Sequence, residues 1–218
     1  MRVTIAFVIG ACLLACPLAP AQTVADAGFE QVPVASGQFV KVGGPWAYTN
    51  DAGIVRPFGS STTTEPLNTW SATRDAFEGA QYASTYAGGD TITQPVTFDQ
   101  PGVYELSVMA FSPAGIQEIP GNPGLYKPLG NGEFRFEFGG GPVGPTWVVP
   151  VGSEWTRYAT TVDVTQPGTY PVGIANTRVD VYFVDYDAFR IAAVPEPSAA
   201  ALLLLTAGCA AGRRRRRP

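Results

Sequence analysis

Thr91-Ile92-Thr93-Gln94-Pro95-Val96-Thr97-Phe98 runs into Asp99-Gln100-Pro101-Gly102, and then into Val103-Tyr104-Glu105-Leu106-Ser107-Val108-Met109-Ala110-Phe111. In the first run Ile92, Val96 and Phe98 fall on one side of an extended chain. The last run alternates apolar positions in the same way, and a period of two marks a strand. The piece between them is a turn by composition, because Pro presets φ and Gly permits positive φ. The three pieces predict two antiparallel strands and the corner that joins them. The phrase Gln-Pro-Gly-x-Tyr then returns as Gln166-Pro167-Gly168-Thr169-Tyr170. It again ends one strand-like run and opens another, so it reads as a reused hairpin turn.

Working outward, the same signal repeats. Glu133 to Phe138 alternates strictly, with Phe134, Phe136 and Phe138 on one face and Glu133, Arg135 and Glu137 on the other. Trp155 to Val164, Thr169 to Ala175 and Asp180 to Ile191 are further strand-like runs. Gly139-Gly140-Gly141-Pro142 reads as a flexible hairpin connection; it lacks the Lys-Ser/Thr and the following helix of a phosphate loop. Residues 50–68 and 112–132 read as long loops, and Pro113 to Pro128 is too rich in Pro and Gly for a central strand. No sustained 3.6-residue period occurs between 23 and 193. The fold class is therefore all-β, an antiparallel β-sandwich, and a length of roughly 170 residues suits a jelly roll.

The ends read as targeting segments: 1–21 a signal peptide, 23–193 the sandwich, 194–218 a sorting tail. Met1-Arg2 precedes an apolar stretch from Val3 to Ala15. Ala19-Pro20-Ala21 supplies small residues at Ala19 and Ala21 for signal peptidase, with the cut after Ala21. Leu13-Leu14-Ala15-Cys16 is a competing lipobox, in which Cys16 would carry lipid. At the other end, Ser198 to Gly212 is small and apolar, and as a helix spans roughly 22 Å. Arg213, Arg214, Arg215, Arg216 and Arg217 follow and hold that end in the cytoplasm. The expected topology is a signal helix at the N-terminus and a single transmembrane helix in the tail. The body is exported across the inner membrane, transiently anchored by the tail helix, and then delivered to the outer envelope or beyond.

Composition excludes several functions. The chain has formal charge −4, but the basic residues concentrate in the tail. Residues 22–194 hold 8 basic and 17 acidic side chains, a net −9. Such a surface repels phosphate backbones, so nucleic acid is not an expected partner. The chain has no histidine, and its three cysteines (Cys12, Cys16 and Cys209) all lie in the end segments. The body thus has no disulfide, no thiol nucleophile and no His-based triad or zinc site.

Pro195-Glu196-Pro197, a short apolar run and a terminal arginine cluster resemble, in that order, the PEP-CTERM sorting signal of Gram-negative bacteria. The resemblance covers about the last 25 residues and implies an exosortase as processing partner. It also implies association with exopolysaccharide. Two prolines hold an extended backbone, which a protease cleft can read.

The body carries a second resemblance in short pieces. Asp26-Ala27-Gly28-Phe29-Glu30 resembles the Asn-x-Gly-Phe-Glu opening of galactose-binding-like, carbohydrate-binding jelly rolls. Gly79-Ala80-Gln81-Tyr82-Ala83 resembles their small-residue strand, and Val184-Asp185-Tyr186-Asp187-Ala188-Phe189-Arg190-Ile191 their closing strand. This chain has Asp26 where Asn is usual, and Ala188 where a second Asp is common. The resemblance implies neighbouring first and last strands and a structural calcium held by Glu30 and Asp187, with a backbone oxygen near Asp26; hard oxygen donors suit that ion. Ordinary surface carboxylates are the competing reading.

Sugar binding needs exposed aromatic faces. Trp46, Tyr48, Trp70, Tyr82, Tyr86, Tyr126 and Trp147 are the aromatics to weigh. Trp46, after Gly43-Gly44-Pro45, and Trp70, after a Thr-rich stretch, are the loop candidates for glycan contact, with core packing as the alternative for each. Trp155 opens a regular strand and reads as core. Asp185 and Asp187 share one strand face, but no pair of acids stands out as a glycosidase dyad. The expectation is a non-catalytic, exported envelope or matrix protein associated with glycan. The rivals are a surface protein without a small ligand and a polysaccharide-acting hydrolase.

Overall fold

The computed structural model describes residues 22–35, 39–41, 44–55, 74–86, 88–114, 116–118, 126–128, 130–178 and 183–195. The signal segment with Ala19 and Ala21, Trp70, and the tail from Glu196 and Pro197 through Arg213 to Arg217 lie outside the described residues. Among the described residues no helix is long and apolar enough to cross a membrane.

The described residues form strands only. These are β1 (Phe39–Val40), β2 (Ala47–Tyr48), β3 (Gly53–Val55), β4 (Tyr82–Thr85), β5 (Thr91–Phe98), β6 (Gly102–Phe111) and β7 (Ile116–Glu118). They continue as β8 (Tyr126–Pro128), β9 (Gly132–Phe138), β10 (Gly141–Val149), β11 (Thr156–Val164), β12 (Gly168–Asn176) and β13 (Val184–Ala193). One sheet has the order β1-β3-β4-β13-β6-β11 and the other β10-β9-β12-β5-β2, with every pairing antiparallel. β7 and β8 form a separate hairpin.

The alternation read in the sequence sets which side chains meet between the sheets. Tyr104, Leu106, Val108 and Ala110 from β6 face Ile92, Val96 and Phe98 from β5, with Phe134 and Phe136 from β9 and Tyr186, Phe189 and Ile191 from β13. Arg135 and Glu137 point outward and pair at 2.9 Å. The repeated turn phrase has a geometric reason. The Tyr104 hydroxyl donates to the Gln100 carbonyl at 2.9 Å, and the Tyr170 hydroxyl to the Gln166 carbonyl at 2.9 Å. Both rings pack edge-on against Phe98, with centroids at 4.8 and 6.0 Å.

Two loop readings need correction. Residues 50–68 contain β3, and 112–132 contain the β7–β8 hairpin. β10 was also missed as a strand, since Pro142, Gly144 and Pro145 interrupt its pattern. It is the edge strand of its sheet, where an absent N–H costs no ladder bond, and its register shifts between Val143 and Trp147.

Candidate functional site

The N-terminal segment decides what happens to the first two sets of predicted site residues. Trp46 is 4 % exposed. Its ring lies between Phe29 (centroids 4.9 Å) and Phe189 (5.4 Å), and its Nε1–H donates to the Asp26 carbonyl at 2.9 Å. Trp46 is therefore a core residue that fastens the Asp26–Phe29 turn, and it offers no face to a sugar. Of its two readings the core one holds, because the N-terminal segment lies against Gly44. Among the other aromatics, Tyr48, Tyr86 and Trp147 are half-buried, and the side chain of Tyr126 lies outside the described residues.

Glu30 and Asp187 come to one corner and act on the same segment. Glu30 Oε1 accepts from the Ala80 and Gln81 N–H groups at 2.7 and 2.9 Å. Asp187 Oδ2 accepts from Glu78 N–H at 2.9 Å, and its Oδ1 from Ala188 N–H at 2.7 Å. Gly79 sits between them at φ 76°, and a Cβ there would collide with the Glu30 carboxylate. Gln81 completes the clasp: its amide donates to the Phe29 and Val32 carbonyls at 2.5 and 2.6 Å and accepts from Val34 N–H at 3.0 Å. Phe189 N–H of β13 donates to the Ala27 carbonyl of the N-terminal turn at 2.9 Å, but the expected neighbouring of first and last strands is not seen, since β1 pairs with β3 and β13 lies between β4 and β6.

Calcium takes six to eight oxygens, and beside Glu30 the buried Asp26 Oδ2 has no hydrogen-bond partner among the described residues. Three of the four carboxylate oxygens of Glu30 and Asp187 already accept backbone N–H groups. The Asp26 carbonyl accepts from Phe29 N–H and Trp46. Among the described residues no group of three or more acidic side chains is arranged to hold a metal ion.

A different cluster has the makings of a site, and it lies on the outer face of the six-stranded sheet. Register places Asp185 of β13 between Ser84 of β4 and Phe111 of β6. Tyr82, two residues before Ser84, points the same way. Tyr82, Phe111 and the partly buried Trp155 form a triangle of edge-to-face rings, with centroids at 4.4 Å (Phe111–Trp155), 5.5 Å (Tyr82–Trp155) and 5.8 Å (Tyr82–Phe111). Trp155 therefore sits outside the sandwich, in a satellite cluster with Val55 and Phe39. Residues 74–77 lie against this triangle. Arg74 stands 5.5 Å from the Phe111 ring and pairs with Glu154, the Asp75 carbonyl accepts from Trp155 Nε1 at 3.0 Å, and Phe77 meets Trp155 at 6.4 Å.

The polar groups beneath the rings are unusual. Asp185 is 4 % exposed, and burial pushes its carboxyl up to about 7 against the pull of a Ser84 hydrogen bond. The Tyr82 hydroxyl is buried and finds no hydrogen-bond partner among the described residues. Burial, with Asp185 and Asp187 nearby, pushes that phenol well above its ordinary value. Burial likewise raises Asp187 to about 7, opposed by its N–H partners from Glu78 and Ala188. An unpaired buried hydroxyl costs about 1–3 kcal/mol, so this face keeps hydrogen-bonding capacity that the described residues do not use. The outer edge of the cluster is open, with Phe77 48 % exposed. On the opposite sheet a depression of about 470 Å³ is lined by Gln22, Thr23, Gln94, Pro95, Thr97 and Asp99 among others, and has no aromatic wall.

Sequence reading missed Tyr82, Phe111 and Asp185 as a group. A signal was present: the outward positions of β6 end in Met109 and Phe111, so β6 is apolar on both faces at that end. A strand covered on both sides reads that way.

No family model matches this chain, and no curated protein matches it. Among solved structures, a Stig cyclase from Fischerella sp. TAU, in complex with an indole compound, aligns with TM-score 0.54 at 14 % identity, covering 81 % of this chain and 98 % of that one. At that identity the likeness shows a shared fold. Two further likenesses fall below a TM-score of 0.5. The CBM22-1 xylan-binding domain of Paenibacillus barcinonensis Xyn10C has TM-score 0.44 at 12 % identity, over 69 % of this chain and 86 % of that one. TmCBM61 in complex with β-1,4-galactotriose has 0.45 at 14 %, over 79 % and 99 %.

Proposed function

We propose that this chain is an exported, non-catalytic envelope or matrix protein that holds glycan against the outer face of its six-stranded sheet. The observation that carries this reading is the aromatic cluster outside the core, in which half-exposed Phe77 and partly buried Trp155 rest on the buried rings of Tyr82 and Phe111. Pyranose rings lie on aromatic faces while a few polar groups fix their hydroxyls. The test is a glycan array that includes the producing cell's own exopolysaccharide. Trp155→Ala and Phe77→Ala should each lose binding, while a fold control such as Arg135→Gln keeps it. If the wild-type chain binds no glycan, the rival reading of a ligand-free surface protein takes its place.

Delivery belongs to the same proposal. Pro195-Glu196-Pro197, the apolar run and Arg213 to Arg217 support export by signal peptidase and processing by an exosortase, with transient anchoring in the inner membrane. Glu196→Ala should retain the tail, read as the intact mass of the mature protein. Equal mature masses for wild type and variant would overturn the sorting reading.

A second reading, an enzyme, has one observation in its favour. A carboxylic acid that keeps its proton near neutral pH inside an aromatic enclosure is suited to general-acid work. Turnover of the cell's polysaccharide, lost in Asp185→Asn, would establish it over the non-catalytic one.

A further inference from the structure

Beside the aromatic cluster runs a groove of about 260 Å³ lined by Phe77, Ser107, Met109, Arg157, Ala188 and Arg190, among others. Cross-strand register builds it. Met109 of β6 stands between Arg157 of β11 and Asp187 of β13, and Ser107 stands opposite Arg190. The register of β13 slips between Asp187 and Arg190, and Ala188 is left at φ 50°, a conformation that costs an L residue energy. Asp187 Oδ1 holds that bulge by accepting from Ala188 N–H. A bulge turns the next side chains to a new direction, and a strained non-glycine residue persists only where its surroundings enforce it. Here the enforced bulge brings Arg190 to the same groove as Arg157.

The two arginines are 53 % and 63 % exposed, in a body of net charge −9. Each donates one described bond to a flanking carboxylate: Arg157 to Glu105, and Arg190 to Glu78 at 2.7 Å. Those pairs are at the surface, where an ion pair contributes little and is readily exchanged. A guanidinium has five N–H donors and no acceptor, so the polar rim of the groove offers mainly donors. Its floor is a thioether and a half-exposed phenyl ring. The ligand that fits is a ring with an apolar face and an anionic group.

We infer that this groove takes an acidic sugar unit of a polysaccharide, its ring on Phe77 and Met109 and its carboxylate or sulfate between Arg157 and Arg190. The inference rests on the glycan-binding reading and names the substrate class. Arginine recognises such groups through paired charge-assisted bonds.

The test is affinity electrophoresis of the full mature protein in gels containing polygalacturonate, with dextran as the neutral comparison. Polygalacturonate should retard the wild type at least about tenfold more strongly than dextran, and added salt should weaken the retardation. Arg157→Gln and Arg190→Gln should each reduce it by about tenfold, and Phe77→Ala should reduce it without changing its salt dependence. The arginine variants should melt at the wild-type temperature, since they remove only exposed pairs. Equal retardation by dextran, or arginine variants that bind polygalacturonate as wild type does, overturns the acidic-sugar inference and leaves glycan binding standing. No retardation in either gel, together with a blank glycan array, removes both.

Discussion

Two tyrosines on neighbouring strands of one sheet, Tyr82 on β4 and Tyr186 on β13, are both fully buried yet face opposite ways. Tyr186 points between the sheets, where its hydroxyl meets Thr85 Oγ1 at 3.2 Å, and Asn176 extends that contact at 3.1 Å. Its ring packs edge-on against Phe134 at 5.3 Å. Tyr82 points outward into an equally aromatic environment, but its hydroxyl is unpaired and its neighbour is a buried carboxyl. The Tyr186 hydroxyl is thus paired inside the sandwich, whereas the Tyr82 hydroxyl outside it has no partner among the described residues. Both rings are buried, so on the outer face solvent reaches Phe77 and part of Trp155 before it reaches Tyr82.

The largest expected effect checks the inner side. Phe189→Ala should lose about 3–5 kcal/mol in urea unfolding, because it empties a site walled by Trp46 and Phe136. Phe111→Ala, in the smaller outer cluster, should lose clearly less, and an equal loss would erase the distinction between the two.

The next effect is in pH dependence. Folded Asp185 keeps its proton up to about 7, whereas the unfolded chain ionises near the ordinary carboxylate value. Stability should therefore be full at about pH 4 and fall as pH rises toward 7, by at most ~1.4 kcal/mol per pH unit for this carboxyl. Asp187 adds a loss of the same sign in the same window. Thermal melts of Asp185→Asn should match wild type near pH 4 and exceed it near pH 7.

Smaller still is a contrast in sign. Tyr82→Phe should gain about 1 kcal/mol by removing an unpaired hydroxyl, and Tyr186→Phe should lose about the same by removing a paired one. If Tyr82→Phe also weakens glycan binding, the hydroxyl serves the ligand at the expense of stability. The smallest effect concerns Glu30 and Asp187, three of whose four carboxylate oxygens accept backbone N–H groups. Calcium added to chelator-treated protein should leave the melting temperature unchanged, and a clear rise would show that the corner binds the ion.

The hairpin from Thr91 to Phe111 was legible because alternation and turn chemistry are local. So were β9, β11, β12 and the closing strand. β10 was not, since an edge strand tolerates prolines that a central one would reject. The site was harder to see than the fold. Alternation tells which residues share a face, but what covers that face depends on distant segments. Trp46 stayed open between glycan contact and core packing, and Trp155 read as core, for that one reason: the N-terminal turn closes over the first, and residues 74–77 lie on the outer face beside the second. Asp185 could be placed on a strand face, but nothing local to it foretold the aromatic roof that raises its affinity for a proton.

β13 lies between β4 and β6, and its last described bond is from Val194 N–H to the Val103 carbonyl at 2.8 Å. Its hydrogen bonds run across the strand axis to neighbours on both sides. A pull on the end of β13 would therefore load its ladder bonds together in shear instead of opening them one at a time from an edge. A chain held by its C-terminal end would be gripped at the middle of its larger sheet, so the body would resist tension best in the direction from which that end is drawn.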